Sequence, residues 1–156
     1  MIIAEGSERV AAYLRERGIQ ARVATLDEST RTSQLAADAL GCTVAEIAKS
    51  IAFRAGDSAV VVVISGDRRV DQKKVSALIG VRAGFADAEA VRKLTGYPIG
   101  GVPPFPHKAG VRVLLDRSLT RFSNVWAAAG TPNSVMQLDV AQLRDVVGGD
   151  LVDVAQ

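Results

Sequence analysis

The chain has 156 residues, 48% of them hydrophobic and only 4% aromatic, which excludes a disordered chain and predicts one domain, residues 1–156, around an aliphatic core. Its formal net charge of +2 allows a nucleic-acid partner without requiring one, and a lone cysteine excludes an internal disulfide. The longest apolar run, Ala59 to Ile64, is too short to span a bilayer, and Glu5, Glu8 and Arg9 directly after Ile2-Ile3 predict no signal peptide, so the expected compartment is the cytoplasm, with no membrane partner.

Ser7 can cap a first helix in which Val10, Tyr13, Leu14 and Arg17 recur at helical spacing, with Gly18 as the stop. Arg22 to Leu26 reads as a strand. Thr32 or Ser33 opens a second helix that Gly41 closes. Thr43-Val44-Ala45-Glu46 has the form of a capping box and delivers the chain into a strand around Lys49. Ser58 to Ser65, with its continuous valines, predicts a strand buried on both faces, and Gly56-Asp57 a turn before it. Asp71 caps a helix to Ile79, a short strand lies near Arg82–Phe85, and Asp87 caps a helix to Leu94. Val111–Leu115, Val125–Ala129 and Val135–Leu138 read as strands, Val140–Val147 as a helix, and Leu151–Val154 as a last short strand. Helices and strands mix without a βαβ rhythm, so the fold class is α+β around a largely antiparallel or mixed sheet.

Two segments carry the candidate chemistry. The first, Thr95 to Lys108, holds three glycines and four of the five prolines. Proline stiffens such a loop and glycine opens it to close backbone approach, while polar side chains are nearly absent. It is either a rigid connector or a site whose chemistry comes from main-chain N–H and C=O groups. The second is the strand Ile47-Ala48-Lys49-Ser50-Ile51-Ala52-Phe53. Alternation puts Ile47, Lys49, Ile51 and Phe53 on one face, so a single lysine interrupts the larger apolar face. That lysine either snorkels to solvent or lines a pocket for an anionic or polar ligand.

Other chemistries find little support. His107 is the only histidine, in a proline-rich loop where exposure is expected, and Cys42 follows a helix-stop glycine, where a small buried thiol is expected. No clustered His, Cys or carboxylate ligands suggest a metal, and neither a Walker loop nor a dinucleotide fingerprint is present. Asp116 reads as an N-cap for Arg117-Ser118-Leu119. Arg68, Arg69, Lys73 and Lys74 form the densest basic patch, which reads as a solvated helix face. Gly130-Thr131-Pro132-Asn133 reads as a hairpin turn.

Taken together, Thr30-Arg31-Thr32, Ile47-Ala48-Lys49-Ser50-Ile51, Ser65-Gly66-Asp67, the run Thr95 to Phe105 and the run Val125 to Asn133 resemble the YbaK/EbsC family of aminoacyl-tRNA deacylases. These are free-standing relatives of the bacterial prolyl-tRNA synthetase editing domain. The resemblance implies a curved, barrel-like mixed sheet flanked by helices. It also implies metal-independent, cofactor-free hydrolysis of mischarged aminoacyl-tRNA, chiefly tRNA for proline, with prolyl-tRNA synthetase as a candidate partner. It implies Lys49 as the catalytic residue, holding the terminal phosphate or the developing oxyanion, and Thr30, Ser50, Tyr97, Gly100, Gly101, Val102, Pro103, Gly130 and Thr131 as substrate-binding residues. The substrate's vicinal hydroxyl and amino group would assist the attack of water. Where many relatives have serine, this chain has Pro103. Where alanyl-tRNA enzymes have asparagine and histidine, it has Ser50 and the Thr131-Pro132-Asn133 turn. The pattern is closer to branches that remove small residues such as 2-aminobutyrate, cysteine, serine or threonine. A non-catalytic tRNA- or nucleotide-binding module and a hydrolase of another small ester or thioester are the competing readings.

Overall fold

The computed structural model describes residues 5–26 and 32–156. In chain order its elements are α1 (Glu5–Arg17), β1 (Arg22–Thr25), α2 (Ser33–Leu40), β2 (Ile47–Ala55), β3 (Ser58–Ser65), α3 (Gln72–Ile79), β4 (Gly84–Phe85), α4 (Ala88–Thr95), β5 (Arg112–Leu115), β6 (Asn124–Ala128), β7 (Ser134–Asp139) and α5 (Val140–Val147). Turns of 3₁₀ helix occupy Val44–Glu46 and Arg117–Arg121. Side-chain caps explain most helix starts. Thr32 Oγ1 accepts from the Leu35 N–H, Asp71 from Lys73 and Lys74, Asp87 from Ala90 and Asp139 from Gln142. Each such cap stabilises by about 1 kcal/mol. α1 instead begins at Glu5, so Ser7 lies within the helix rather than at its start.

The fold is α+β around a mixed sheet, with strand order β1-β7-β6-β2-β3-β5 and β4 paired to β2 off that path. The path is open, ending at β1 and β5. β2 and β3 form a long antiparallel hairpin from Ala48↔Ser65 to Ala55↔Ser58, and β6 and β7 form a second. β5 runs parallel to β3. The valine run of β3 is buried on both faces because each face has its own core. Val61 and Val63 pack with Ala48, Ala52, Tyr97, Val102 and Phe105, beneath Val10 and Leu14 of α1. Val60, Val62 and Ile64 pack with Phe53, Val75 of α3, Leu114 and Val154. A third cluster joins Ala36 and Ala37 of α2 to Ile47, Trp126 and Val135.

The expected last strand at Leu151–Val154 does not form. That segment makes only isolated bridges, Asp116↔Val152 and Val70↔Ala155. It is held by Asp116, whose buried carboxylate caps the 3₁₀ turn at Ser118 N–H and also accepts the Val154 N–H, each at 2.9 Å. Among the described residues no helix is long and apolar enough to cross a membrane.

Candidate active site

The sheet has a gap, and the gap makes the site. On its β6 side, β2 pairs in parallel only at Ile47↔Trp126 and Ala48↔Ala127. Its next partner on that edge is β4, at Phe53 and Arg54. Among the described residues, Lys49 to Ile51 therefore present an edge with no neighbouring strand. Two hydrogen bonds fix which peptide groups face the opening. The Ile47 carbonyl accepts from Gly66 on the β3 side, and the Ala52 carbonyl accepts from Ala86 on the other. Backbone polar groups alternate between edges along a strand, so the N–H and C=O of Ser50 point into the gap. The Ser50 Oγ is buried and has no hydrogen-bond partner among the described residues. Buried polar groups are normally paired, so an unpaired hydroxyl beside a cleft is a candidate contact for a ligand.

This edge forms one wall of a cleft of about 390 Å³. Ser33 and Ala36 of α2, Ile99, Gly100 and Val102 of the Gly/Pro loop, and Trp126 to Ala128 of β6 complete it. The N-terminus of α2 opens onto the cleft and brings the positive end of the helix dipole with it. Gly100 has φ +83, which closes a turn in which the Gly101 N–H donates to the Pro98 carbonyl at 2.9 Å. The Gly101 N–H is thus engaged within the loop, leaving those of Gly100 and Val102 as the donors nearest the cleft.

Lys49 leaves β2 on the face opposite Ser50, yet it lines the same cleft as Gly100. A continuous sheet would separate the two, and the gap brings them together. The lysine is half-buried and, among the described residues, makes no hydrogen bond or ion pair. Burial holds its ammonium below the usual lysine range, the Arg69 guanidinium pushes the same way, and Asp67 opposes both. Asp67 is itself clamped by Arg121 through two bonds of 3.0 and 2.7 Å, which lower its carboxyl below the ordinary range. The lysine charge is therefore not neutralised at contact distance.

Four of the residues expected at the site, Lys49, Ser50, Gly100 and Val102, line this cleft. Five stand outside its lining, and each has a visible structural task. Tyr97 is fully buried, donates its hydroxyl to the Pro106 carbonyl at 2.7 Å, and stacks beneath the Arg9 guanidinium. Pro103 is buried behind Val102, and its carbonyl is bonded by His107 Nε2 at 2.7 Å. A Cβ on Gly101 would come within 2.8 Å of the Thr131 Cα, so the loop rests directly on that turn. Thr131 Oγ1 bonds Asn133 Oδ1 and Ser134 Oγ inside the turn. Gly130, at φ +104, packs against the Gly6 backbone of α1, where no side chain fits on either residue. Thr30 lies outside the described residues.

Two other expectations change. His107 is largely buried, with an unpartnered Nδ1, because the proline-rich loop folds over it, and burial pushes its pKa down. Cys42 is half-buried rather than fully buried, and burial together with Glu46 raises its thiol pKa, which disfavours the reactive thiolate. The α2 N-terminus and Trp126 belong to the site but are not among the residues the sequence points to. Thr32 could have been read as a cap facing a ligand, but nothing local marks Trp126. Among the described residues the cleft lining contains no Asp, Glu, His or Cys, and no cluster of such groups could hold a metal ion.

Comparison with known proteins places this architecture. Residues 27–146 match the aminoacyl-tRNA editing domain. YwhH of Bacillus subtilis (strain 168) is 36% identical over 79% of each chain. The multifunctional Ser/Thr-tRNA deacylase ProXp-y of Escherichia coli (strain K12) is 25% identical over 97% of this chain and 95% of its own. A solved structure described as a candidate trans-editing enzyme for prolyl tRNA synthetase superposes with a TM-score of 0.89 at 35% identity, covering 99% of both chains. With its α2, Lys49, Gly/Pro-loop and Trp126 segments all inside the matched region, the chain belongs to the aminoacyl-tRNA editing domain family.

Proposed function

We propose that this editing-domain protein is a free-standing aminoacyl-tRNA deacylase that removes a small non-cognate residue from tRNA for proline. Hydrolysis is metal-independent and assisted by the substrate. The observation that carries the proposal is the cleft itself. An unpaired, half-buried lysine stands on a bare strand edge opposite a glycine turn, and the described lining offers no carboxylate, imidazole or thiol to act as general base. Such a site can position and stabilise, which supply large shares of catalytic power, and with Lys49 charged the proton from water passes to the substrate's own groups.

The chemistry follows from this division of labour. The acyl ester lies along the Ser50 edge, where peptide groups and the Ser50 hydroxyl bind its α-amino group and carbonyl. Water attacks the carbonyl carbon, and the charge on its oxygen is stabilised by the N–H groups of Gly100 or Val102 and by the field of Lys49. The ester C–O bond breaks, and the proton from water reaches the departing ribose oxygen through the neighbouring hydroxyl. Free amino acid and intact tRNA leave. Small lining residues, Ala36, Ala48, Ala127 and Ala128, leave room for a short side chain, while Val102, seated on the stiff Pro103-Pro104 segment, forms the wall against the proline ring. Prolyl-tRNA synthetase generates the mischarged substrate in the cytoplasm and is the natural partner in this reading.

The test is deacylation of a panel of charged tRNAs by the purified protein, with and without EDTA. The expected result is turnover of tRNA for proline carrying 2-aminobutyrate, cysteine, serine or threonine, sparing of prolyl-tRNA, and no effect of EDTA. Binding without turnover across the panel would instead make the chain a non-catalytic tRNA-binding module.

A further inference from the structure

Phe85 is anchored on one side of its ring and open on the other. It is 62% exposed, the highest value among the large hydrophobic side chains of the described residues, and it ends the two-residue strand β4. One side of its ring packs on the fully buried Phe53, at 4.7 Å between centroids, which fixes its orientation. A single exposed aromatic residue is ordinary. This one, however, lines a second concavity of about 260 Å³ together with Lys49, Ile51, Arg69 and Gln156. Lys49 and Ile51 also line the candidate active site, so the two hollows share a wall. Gln156 in turn is shared with a third groove of about 610 Å³ that contains Arg68, Lys74, Arg117 and Arg121.

The charge along this path is lopsided. It carries six cations, Lys49, Arg68, Arg69, Lys74, Arg117 and Arg121. The carboxylates beside them are four, one of them the terminal carboxylate of Gln156. Asp67 is shared by Arg121 and Arg68, Asp153 by Lys74 and Arg117, and Asp116 is buried with its oxygens bonded to backbone N–H groups. The local excess of two positive charges gathers on one path as much net charge as the side chains of the entire chain carry. A continuous cationic groove with a rigid, exposed aromatic ring beside it is how proteins hold single-stranded nucleic acid: charges follow the phosphates, and a base stacks on the ring.

We propose that the groove running from Lys49 past Phe85 and Arg69 to Arg117 and Arg121 is the binding track for the single-stranded 3′ end of an RNA, with one base stacked on Phe85. This rests on the deacylase reading and extends it, because the track ends where the acyl ester must lie. Arg69 then holds a phosphate next to Lys49, and the Arg117–Arg121 groove receives the backbone further from the 3′ end. The basic patch that reads in sequence as a solvated helix face becomes a recognition surface.

The experiment uses the full chain and an uncharged RNA hairpin with a four-nucleotide 3′ overhang, against the same hairpin with a blunt end, titrated by fluorescence anisotropy at several salt concentrations. The wild type is expected to prefer the overhang. Phe85→Leu, which keeps an apolar contact with Phe53, is expected to weaken overhang binding at least fivefold and to leave blunt-end binding alone, while Phe85→Trp restores it. Arg69→Gln and Arg117→Gln are each expected to flatten the slope of log K against log[salt] by about 0.7, the value for one single-strand phosphate contact. Equal binding of overhang and blunt hairpins, wild-type affinity in Phe85→Leu and Arg69→Gln, or equally tight binding of polyaspartate would overturn the track. The two readings separate cleanly. A wild type that shows the overhang preference but hydrolyses no charged tRNA overturns the deacylase reading and not the track. A wild type that hydrolyses charged tRNA while these variants bind normally overturns the track and not the deacylase.

Discussion

Gly101→Ala tests whether the Gly/Pro loop is held in place by the β6–β7 turn. A Cβ at Gly101 would lie 2.7 Å from the Thr131 carbonyl carbon, 2.8 Å from its Cα and 3.0 Å from the Pro132 nitrogen. All three are backbone atoms, and a proline follows, so neither side can yield by a simple rotamer change. The residue lacks a left-handed φ, so the whole effect is one of packing. Overpacking of this kind costs about 1–3 kcal/mol, and for a chain of this size that lowers Tm by about 2–12 °C. The larger consequence is geometric. Gly100 and Val102 flank the clash and line the cleft, and a displacement near 1 Å can cost about 10²-fold in rate. Gly84→Ala is the control, because its Cβ would meet nothing within 4 Å. It should shift stability by no more than about 0.5 kcal/mol. Differential scanning fluorimetry and single-turnover deacylation read both quantities. A Gly101→Ala protein with wild-type Tm and wild-type kcat/KM would refute the buttress, and with it the claim that the turn positions the loop.

Lys49→Met should abolish most deacylation while raising Tm at neutral pH. The folded lysine has a lowered pKa, so its charged form costs stability below that pKa, and the cost fades as pH rises toward the ordinary lysine value. The stability gain of the variant should accordingly shrink at alkaline pH, read from Tm against pH. His107→Ala removes the donor to the buried Pro103 carbonyl and should destabilise by about 1–3 kcal/mol, with a smaller loss of activity than Lys49→Met. Because the folded His107 pKa is lowered, its contribution is present above the unfolded value and is lost as pH falls through the folded one. The acid limb of the wild-type stability curve should therefore flatten in the variant, as followed by urea midpoints. Cys42→Ser should retain most turnover, and thiol alkylation at neutral pH should be slow, as read by mass spectrometry.

Much of the fold is legible because its signals are local. The valine run of β3 spans Ser58 to Ser65, Asp71 and Asp87 cap the helices their positions predict, and of the two candidates Thr32 and Ser33 it is Thr32 that caps α2. Lys49 is visible as an oddity in an apolar alternation. What escapes is set by contacts between distant segments. The gap between β2 and β6 exists because residues 47–48 and 126–127 pair and the strands then diverge, and no feature of either strand announces this. The orphaned Ser50 hydroxyl and the loading of Gly101 onto Thr131 follow from that divergence and from the loop packed above it. His107 looks exposed in a proline-rich stretch, yet the loop closes over it and uses it to hold Pro103. Leu151–Val154 has strand-like residues, but Asp116 captures its backbone before a ladder can form.

The central claim is that the Lys49 cleft holds and stabilises the ester while the substrate supplies the proton transfer. Its most direct test compares two tRNAs for proline carrying the same small residue on the 3′ oxygen, one ending in ribose and one in 2′-deoxyribose, under single-turnover conditions. General acid–base assistance is worth about 10²–10⁴-fold. The account predicts that the deoxy substrate binds normally and is hydrolysed at least about 10²-fold more slowly by the wild type, and that Lys49→Ala is slow on both. Equal rates on the two substrates would contradict it and would require a general base supplied by the protein.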